Sequence, residues 1–158
     1  MMTLLRLAPS STRVERNTDP AINDRIRART DLELARLEAS EPEEVTIRLE
    51  QLNREWDIER VLQANASALV LLGITLGLTM DRRFLLLPAA VLTFFTQHAL
   101  QGWCPPVPLL RRLGVRTARE IERERYAIKA LRGDFDRLPA ATADRDRRVR
   151  AVLAAIDT

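Results

Sequence analysis

Two neighbouring stretches without Asp, Glu, Lys or Arg decide the fold: VLQANASALVLLGITLGLTM at residues 61–80 and FLLLPAAVLTFFTQHALQGWCPPVPLL at residues 84–110. Only Asp81, Arg82 and Arg83 separate them, although charged residues make up 30% of the chain. Twenty helical residues rise about 30 Å, which is the thickness of the hydrocarbon core of a bilayer. We therefore predict a helical hairpin of two short transmembrane helices with a charged turn between them.

The arms on either side of the hairpin are predicted to be helical as well. Three patterns of a capping side chain mark helix starts. These are Asp19-Pro20, Ser40 with Glu43, and Thr117 with Glu120. Gly133 suits a helix C-terminus, and a last helix is expected from about Thr142 to Ile156. The predicted fold class is all-α: an integral membrane helical hairpin with amphipathic cytoplasmic helices on both sides.

The chain is expected to divide into four consecutive segments. They are a disordered tail at 1–18, acidic cytoplasmic helices at 19–60, the transmembrane hairpin at 61–104, and a basic cytoplasmic helical arm at 105–158. A hairpin returns the chain to its starting side, so the acidic and basic arms could pair, within one chain or between two. Exposed ion pairs contribute only ~0–1 kcal/mol each, and two independently solvated arms are therefore an equal alternative.

Three features favour a membrane over a soluble bundle. Trp56 and Trp103 flank the same end of the hairpin, as interfacial anchors do. Gly73 and Gly77 form a GxxxG motif, in which small residues allow close helix–helix packing. Arginines are more numerous in the arms next to the hairpin than in its turn. The positive-inside rule therefore places both termini in the cytoplasm. We expect a protein of the bacterial inner membrane, embedded in the lipid bilayer and forming a homo-oligomer, a dimer, through the hairpin.

A soluble helical module that binds a protein partner is the alternative fold. The polar arms offer too little apolar surface to cover two helices that are apolar all round, which makes this alternative the weaker one.

Several polar side chains interrupt the apolar helices and are candidates for function. They are Gln63, Asn65, Gln97, His98 and Gln101, together with the thiol of Cys104. The last four of these occur at offsets that share one helical face, and an antiparallel hairpin places Gln63, Asn65 and Ser67 opposite that face. Polar groups in a membrane are costly unless they are paired. We favour interhelical hydrogen bonds over a binding or transfer site.

Cys104 is the sharpest single candidate. Pro105 drives the preceding residue out of the helical region, so the thiol is expected at the helix exit and accessible from the cytoplasm. Arg111 and Arg112 would favour the thiolate, whereas a helix C-terminus opposes it. A lone cysteine excludes an intrachain disulfide.

The remaining composition points away from catalysis. One His and one Cys give no metal-ligand set, and the chain contains no Gly-rich phosphate loop, Ser-His-Asp set or paired intramembrane carboxylates. We expect no enzyme, no cofactor, no metal and no nucleic-acid partner.

The end of the second apolar stretch resembles a known bacterial pattern. Gln101-Gly102-Trp103-Cys104-Pro105-Pro106, followed by Leu109-Leu110 and the segment up to Thr117, is similar to the GWCP-containing close of the YgaP-type inner-membrane transmembrane domain. Arg60 and Asn65 fit its opening, and the resemblance covers roughly residues 55–117. It implies two short membrane helices followed by the motif, and a membrane part that dimerises.

Some members of that family carry a rhodanese domain that handles sulfane sulfur, but nothing in this chain supplies one. The expected function is therefore a non-enzymatic membrane anchor or interaction module that self-associates, with an unidentified cytoplasmic protein as a further partner. The alternative is a sulfur-handling or redox accessory in which Cys104 accepts persulfide or is oxidised.

Overall fold

The computed structural model describes residues 9–136, 138–140 and 144–157, and every regular element in that part of the chain is helical. The helices are α1 (Arg13–Arg16), α2 (Pro20–Glu38), α3 (Pro42–Arg54), α4 (Ile58–Thr79), α5 (Leu86–Gln101), α6 (Pro106–Arg112), α7 (Ala118–Leu131) and α8 (Arg145–Asp157). A 3₁₀ turn, Arg82–Leu85, precedes α5. The all-α prediction is confirmed for the described residues.

The chain forms two compact units. Unit 1 combines the segment up to Arg29 with Glu55–Ile121, and unit 2 combines Thr30–Arg54 with the segment from Glu122 onward. Each unit therefore draws on both arms, whereas the four predicted segments follow the order of the chain.

The hairpin of unit 1 begins where the chain breaks after α3. Residues 55–57 are not helical, and Asp57 caps α4 by accepting a hydrogen bond of 2.7 Å from the backbone N–H of Arg60. At the far end, Asp81 accepts from the N–H of Arg83 at 2.8 Å and opens the 3₁₀ turn. The second apolar helix starts at Leu86, two residues before Pro88.

Gly73 and Gly77 lie buried where α4 meets the start of α5. A Cβ atom at Gly73 would stand 2.5 Å from Cδ of Pro88, and one at Gly77 would stand 2.5 Å from Cδ2 of Leu85. The GxxxG motif therefore packs the two helices of one hairpin together, as expected for helix–helix packing. This face of the motif is occupied within the chain, and the predicted dimer through the hairpin stays a prediction.

In the part of the chain that the structure describes, two helices are long and apolar enough to cross a membrane: α4, and α5 with its 3₁₀ lead-in. Most of their apolar surface is uncovered. Leu71, Leu78 and Leu86 are 66%, 78% and 73% exposed. The described part of unit 1 thus leaves the sides of the hairpin bare.

The predicted disordered tail at 1–18 is wrong from Arg13 onward. Residues 13–16 form α1, and Val14 is buried in one cluster with Ile58, Leu62, Cys104 and Val107. Long-range contacts of Val14 with this cluster, of Arg13 with Glu59 and of Asn17 with Gln101 thus order a segment whose local sequence is polar. Residues 1–8 of the predicted tail lie outside the described residues.

The capping predictions have mixed outcomes. Asp19 accepts from the N–H of Ala21 at 2.9 Å at the start of α2, as expected. Ser40 does not cap α3, because its hydroxyl donates to the carbonyl of Arg36 at 3.0 Å and the helix begins at Pro42. The backbone of Gly133, with φ of 81°, follows the end of α7 as predicted. Helix α8 begins at Arg145, and the predicted start at Thr142 lies outside the described residues.

Unit 2 buries Leu37, Leu49, Leu52 and Ile128. Arg48 reaches Glu124, whose side chain is almost fully buried, at 2.7 Å, and Lys129 donates to the carbonyl of Ile156 at 2.5 Å. Asp31 and Arg123 approach to 3.9 Å. Parts of the two arms therefore pair within one chain.

Candidate functional site

The open end of the hairpin is closed by three segments, residues 13–18, 58–62 and 98–107, which we call the hairpin base. Most of the sequence-predicted polar residues of the second apolar helix lie there, and the N-terminal arm joins them.

His98 forms the polar centre of the hairpin base. The side chain is 1% exposed, and its Nε2 lies 3.0 Å from Oε2 of Glu59. The other carboxylate oxygen of Glu59 accepts from Arg13 at 2.7 Å. Since an ionised carboxylate only accepts, Nε2 carries the proton in this pair. Nδ1 of His98 has no hydrogen-bond partner within the described residues, and the ring stacks near Phe95 at 6.4 Å between centroids.

Gly102 ends α5 and contacts the N-terminal segment. Its φ is 80°, and its N–H donates to the carbonyl of His98 at 2.7 Å. A Cβ atom here would lie 2.5 Å from the backbone carbonyl carbon of Arg13. Asn17 donates to the carbonyl of Gln101 at 2.8 Å and fixes the same contact. The glycine of the GWCP sequence is thus needed both for the turn and for the approach of α1.

Cys104 is buried, at 3% exposure, against Val14, Ile58 and Val107. Burial raises the pKa of its thiol, the backbone N–H of Val107 opposes this in part, and the charge of Glu59 raises the pKa further. The expectation of a thiol accessible from the cytoplasm is therefore wrong. A buried thiol with a raised pKa is a poor nucleophile at neutral pH.

Arg111 does not stand beside the thiol as a free cation. It is fully buried and holds Glu120 through both terminal nitrogens, at 2.6 Å and 2.7 Å. It also donates to Oδ1 of Asn23 at 2.8 Å and to the carbonyl of Val115 at 3.0 Å. Arg111, which the sequence shows only as one of two arginines after the hairpin, is thus a buried, ion-paired cation of unit 1. No local sequence pattern distinguishes it from Arg112.

Glu120 completes this arrangement from the start of α7. Burial alone would raise the pKa of its carboxyl, but the hydrogen bonds from Arg111 and from Thr117 outweigh burial and lower the pKa below its usual range. Thr117 and Glu120 exchange the two bonds of the capping box, at 2.8 Å and 3.2 Å. The predicted capping box is confirmed, and its carboxylate has a second partner in Arg111.

The remaining polar residues of the hairpin do not form the expected network. Asn65 donates to the carbonyl of Val61 in its own helix at 2.8 Å. Gln63 and Ser67 are exposed, Gln97 is half-buried and Gln101 is exposed. Within the described residues, no side-chain hydrogen bond joins Gln63, Asn65 or Ser67 to Gln97, His98 or Gln101. The interhelical bond is made by His98 to Glu59 instead, one turn before Gln63.

The two tryptophans lie at the expected end of the hairpin. Trp56 is half exposed in the break before α4, with the guanidinium of Arg60 stacked 4.5 Å from the centre of its ring. Trp103 is half-buried in the turn after α5. Their role as interfacial anchors stays a prediction.

A groove of about 460 Å³ runs between α4, α5 and α6 next to the hairpin base. Leu69, Phe94 and Leu109 line it, together with the buried Cys104. No sequence pattern pointed to it.

Comparison with known proteins found no matching family model, curated protein or solved structure. Within the described residues, no group of three His, Cys, Asp or Glu side chains could hold a metal ion. The hairpin base is thus an ion-paired and apolar closure. The imidazole of His98 is hydrogen-bonded to Glu59, and the thiol of Cys104 is packed in the apolar cluster.

Proposed function

We propose that this protein is a small bacterial inner-membrane protein whose α4–α5 hairpin crosses the bilayer. In this proposal the hairpin is a non-enzymatic anchor or interaction module. The observation that carries the proposal is the bare apolar surface of both helices, including Leu71, Leu78 and Leu86. Each such side chain gains about 1.5–3 kcal/mol when it leaves water, and lipid can cover all of them at once.

The threonine hydroxyls of the hairpin also fit a hydrocarbon environment. Its four threonines each donate to the carbonyl one turn earlier, at distances of 2.7–2.9 Å. They are Thr75, Thr79, Thr93 and Thr96. Side chains that are bonded within their own helix need neither water nor a partner, which is the condition that a bilayer imposes on polar groups.

The charges support an orientation with both termini in the cytoplasm. The arginines of the arms outnumber Arg82 and Arg83 of the turn, and the positive-inside rule counts basic residues near the ends of the membrane helices. The ion pair of Glu59 with Arg13 then lies at the cytoplasmic interface.

We include membership of the YgaP-type transmembrane family in this proposal. Two residues of the GWCP sequence support it, because both have a structural role at the end of the hairpin. Gly102 allows the close approach of Arg13, and Cys104 packs against Val14 and Ile58. Self-association is part of the proposal too, through a face other than that of Gly73 and Gly77, as is a cytoplasmic protein partner. The sulfur-handling alternative predicts a persulfide on Cys104 after treatment with a sulfane-sulfur donor, and the burial of this thiol counts against it.

The test compares two exposed leucines, one in the hairpin and one outside it. Leu71 and Leu113 are 66% and 71% exposed. In a bilayer, Leu71→Lys introduces a charge that costs about 2.5–3.5 kcal/mol at the middle of a helix, so carbonate-washed membranes should retain much less of this variant. Leu113→Lys should be retained like the original chain.

Reporter fusions at both termini and at Arg82 supply the orientation. Cytoplasmic reporters at both ends and an external one in the turn are expected. Equal retention of Leu71→Lys and Leu113→Lys, or complete release of the original chain by carbonate, would overturn the membrane proposal.

A further inference from the structure

The groove between α4, α5 and α6 is lined by a small residue of α4, Ala66. Its walls are apolar side chains of all three helices, and Leu69 and Phe94 are each 43% exposed. The same two side chains belong to the outer surface of the hairpin. The groove is therefore continuous with the surface that lipid would cover.

The chemistry of the lining selects an apolar occupant. Asn65 and Cys104 are its main polar side chains, and the amide of Asn65 is already bonded to the carbonyl of Val61. Apolar cavities do not hold water stably. The volume of about 460 Å³ falls within the range of small-molecule sites.

The size of the groove decides between an acyl chain and a helix of a second copy. A single helical turn, 5.4 Å long and about 10 Å across, already occupies roughly 420 Å³. A second hairpin would therefore insert no more than one turn here. An extended hydrocarbon chain can follow the whole groove from Leu69 to Cys104.

We propose that this groove binds one acyl chain of a membrane lipid, which runs between Cys104 and Phe95 beside the hairpin base and Leu69 further into the bilayer. The inference rests on the proposed membrane location. It adds a specific lipid site to the general lipid contact of the hairpin's outer surface.

The experiment uses the full chain in phosphatidylcholine vesicles that contain a small share of phosphatidylcholine with a photoreactive diazirine on one acyl chain. After irradiation, labelled residues are identified by peptide mass spectrometry. Lipids around the hairpin reach Leu71 and Leu78, whereas only a chain inside the groove reaches Phe95 and the buried Cys104. We expect label at both sets of residues.

Ala66→Phe fills the groove, and Ala68→Phe makes the same change at an exposed position of the same helix. We expect Ala66→Phe to reduce label at Phe95 and Cys104 about tenfold, the factor for two methylene groups that are no longer buried. Ala68→Phe should leave that label unchanged, and both variants should keep the label at Leu71. Leu109→Trp fills the groove from α6 and should reduce the same label. It therefore tests whether the loss in Ala66→Phe comes from the filled groove or from a folding defect of that variant.

Label confined to the outer residues, or equal label in Ala66→Phe and Ala68→Phe, would overturn the lipid site while leaving the membrane proposal intact. In a separate sample, a photoreactive side chain placed at Phe95 that cross-links to a second copy of the chain would show that this copy fills the groove, and would overturn the lipid site as well. A chain without label at Leu71 and Leu78, and released by carbonate, would instead refute the membrane location.

Discussion

At the scale of single residues, Gly102 connects the N-terminal arm to the end of the hairpin. Its φ of 80° lies in the left-handed region, and the backbone of Arg13 occupies the place of a side chain. Gly114 has a similar φ of 86°, but the nearest atom to a Cβ there is 3.9 Å away. The two glycines thus separate the effect of backbone conformation from the effect of packing.

Gly102→Ala should therefore destabilise the protein more than Gly114→Ala. Both changes place an alanine in the left-handed region, which costs about 1–2 kcal/mol, and only Gly102→Ala also displaces α1. The displaced segment carries Val14 away from Cys104, so this variant should react with maleimide at Cys104 much faster than Gly114→Ala. Thermal unfolding and timed labelling measure the two effects. Equal labelling rates would show that α1 does not cover the thiol.

The carboxylate of Glu120 should make unit 1 sensitive to acid. The pKa of its carboxyl is lowered in the folded protein, so its stabilising effect is complete above the usual glutamate pKa of about 4.3 and is lost as the pH falls through the lowered value. Glu120→Gln leaves the buried Arg111 without a counter-charge, which costs about 3–5 kcal/mol.

The measurement is the free energy of unfolding between neutral pH and pH values below the usual glutamate pKa. Glu120→Gln should flatten this pH dependence and lower stability at neutral pH. Glu43→Gln, which neutralises an exposed carboxylate, serves as the control and should change neither. An unchanged acid sensitivity in Glu120→Gln would refute the assignment.

The residue scale also shows what the sequence could and could not predict. The Thr117–Glu120 capping box was predictable because both partners are local. The same reasoning failed at Ser40, where Pro42 is better suited to the first helical turn and the hydroxyl bonds to α2. The pairs of Arg111 with Asn23 and of His98 with Glu59 join positions that are 88 and 39 residues apart. No local pattern encodes such contacts.

At the scale of elements, the hairpin was the most predictable part of the fold. The length of a charge-free run and the position of a charged turn are local properties, so α4, the turn and α5 occur where they were expected. The use of Gly73 and Gly77 was only half predictable. A GxxxG motif indicates close packing, but the sequence does not show whether the partner helix is in the same chain.

Alanine substitutions should distinguish the two glycines. At Gly73 the new methyl group meets the rigid ring of Pro88, and at Gly77 it meets Cδ2 and Cγ of the Leu85 side chain, at 2.5 Å and 2.7 Å. Gly73→Ala should therefore destabilise the hairpin by about 1–3 kcal/mol, as overpacking does. Gly77→Ala should cost less, because Leu85 can turn away and alanine favours the helix.

Unfolding of both variants in detergent micelles or vesicles provides the comparison. Chemical cross-linking between chains serves as the control. The contacts of both glycines lie within one chain, so self-association should persist in both variants. If Gly77→Ala lost the cross-linked dimer while its stability against unfolding stayed the same, the motif would instead belong to an interface between two chains.

At the scale of the whole molecule, the hairpin should be sensitive to the thickness of the bilayer. Helix α4 has 22 residues, and the segment Arg82–Gln101 has 20. At the rise of an α-helix and of a 3₁₀ turn, each spans about 30 Å. The two helices are nearly equal in length, and their ends carry Asp57 on one side and Asp81 on the other. Thinner or thicker bilayers must therefore deform or tilt both helices together.

The hairpin should consequently be most resistant to unfolding in vesicles whose hydrocarbon thickness is close to about 30 Å. Mismatch costs fractions of a kcal/mol per Å, so a change of several Å should lower stability measurably in either direction. Thermal unfolding followed by circular dichroism in phosphatidylcholines of increasing chain length gives the profile. A deletion of residues 69–72, close to one helical turn, shortens α4 while it keeps Gly73 and Gly77 near the face that packs on α5, and should move the optimum to thinner bilayers. A profile that is flat for both chains would contradict a spanning hairpin and favour one that rests in the interface.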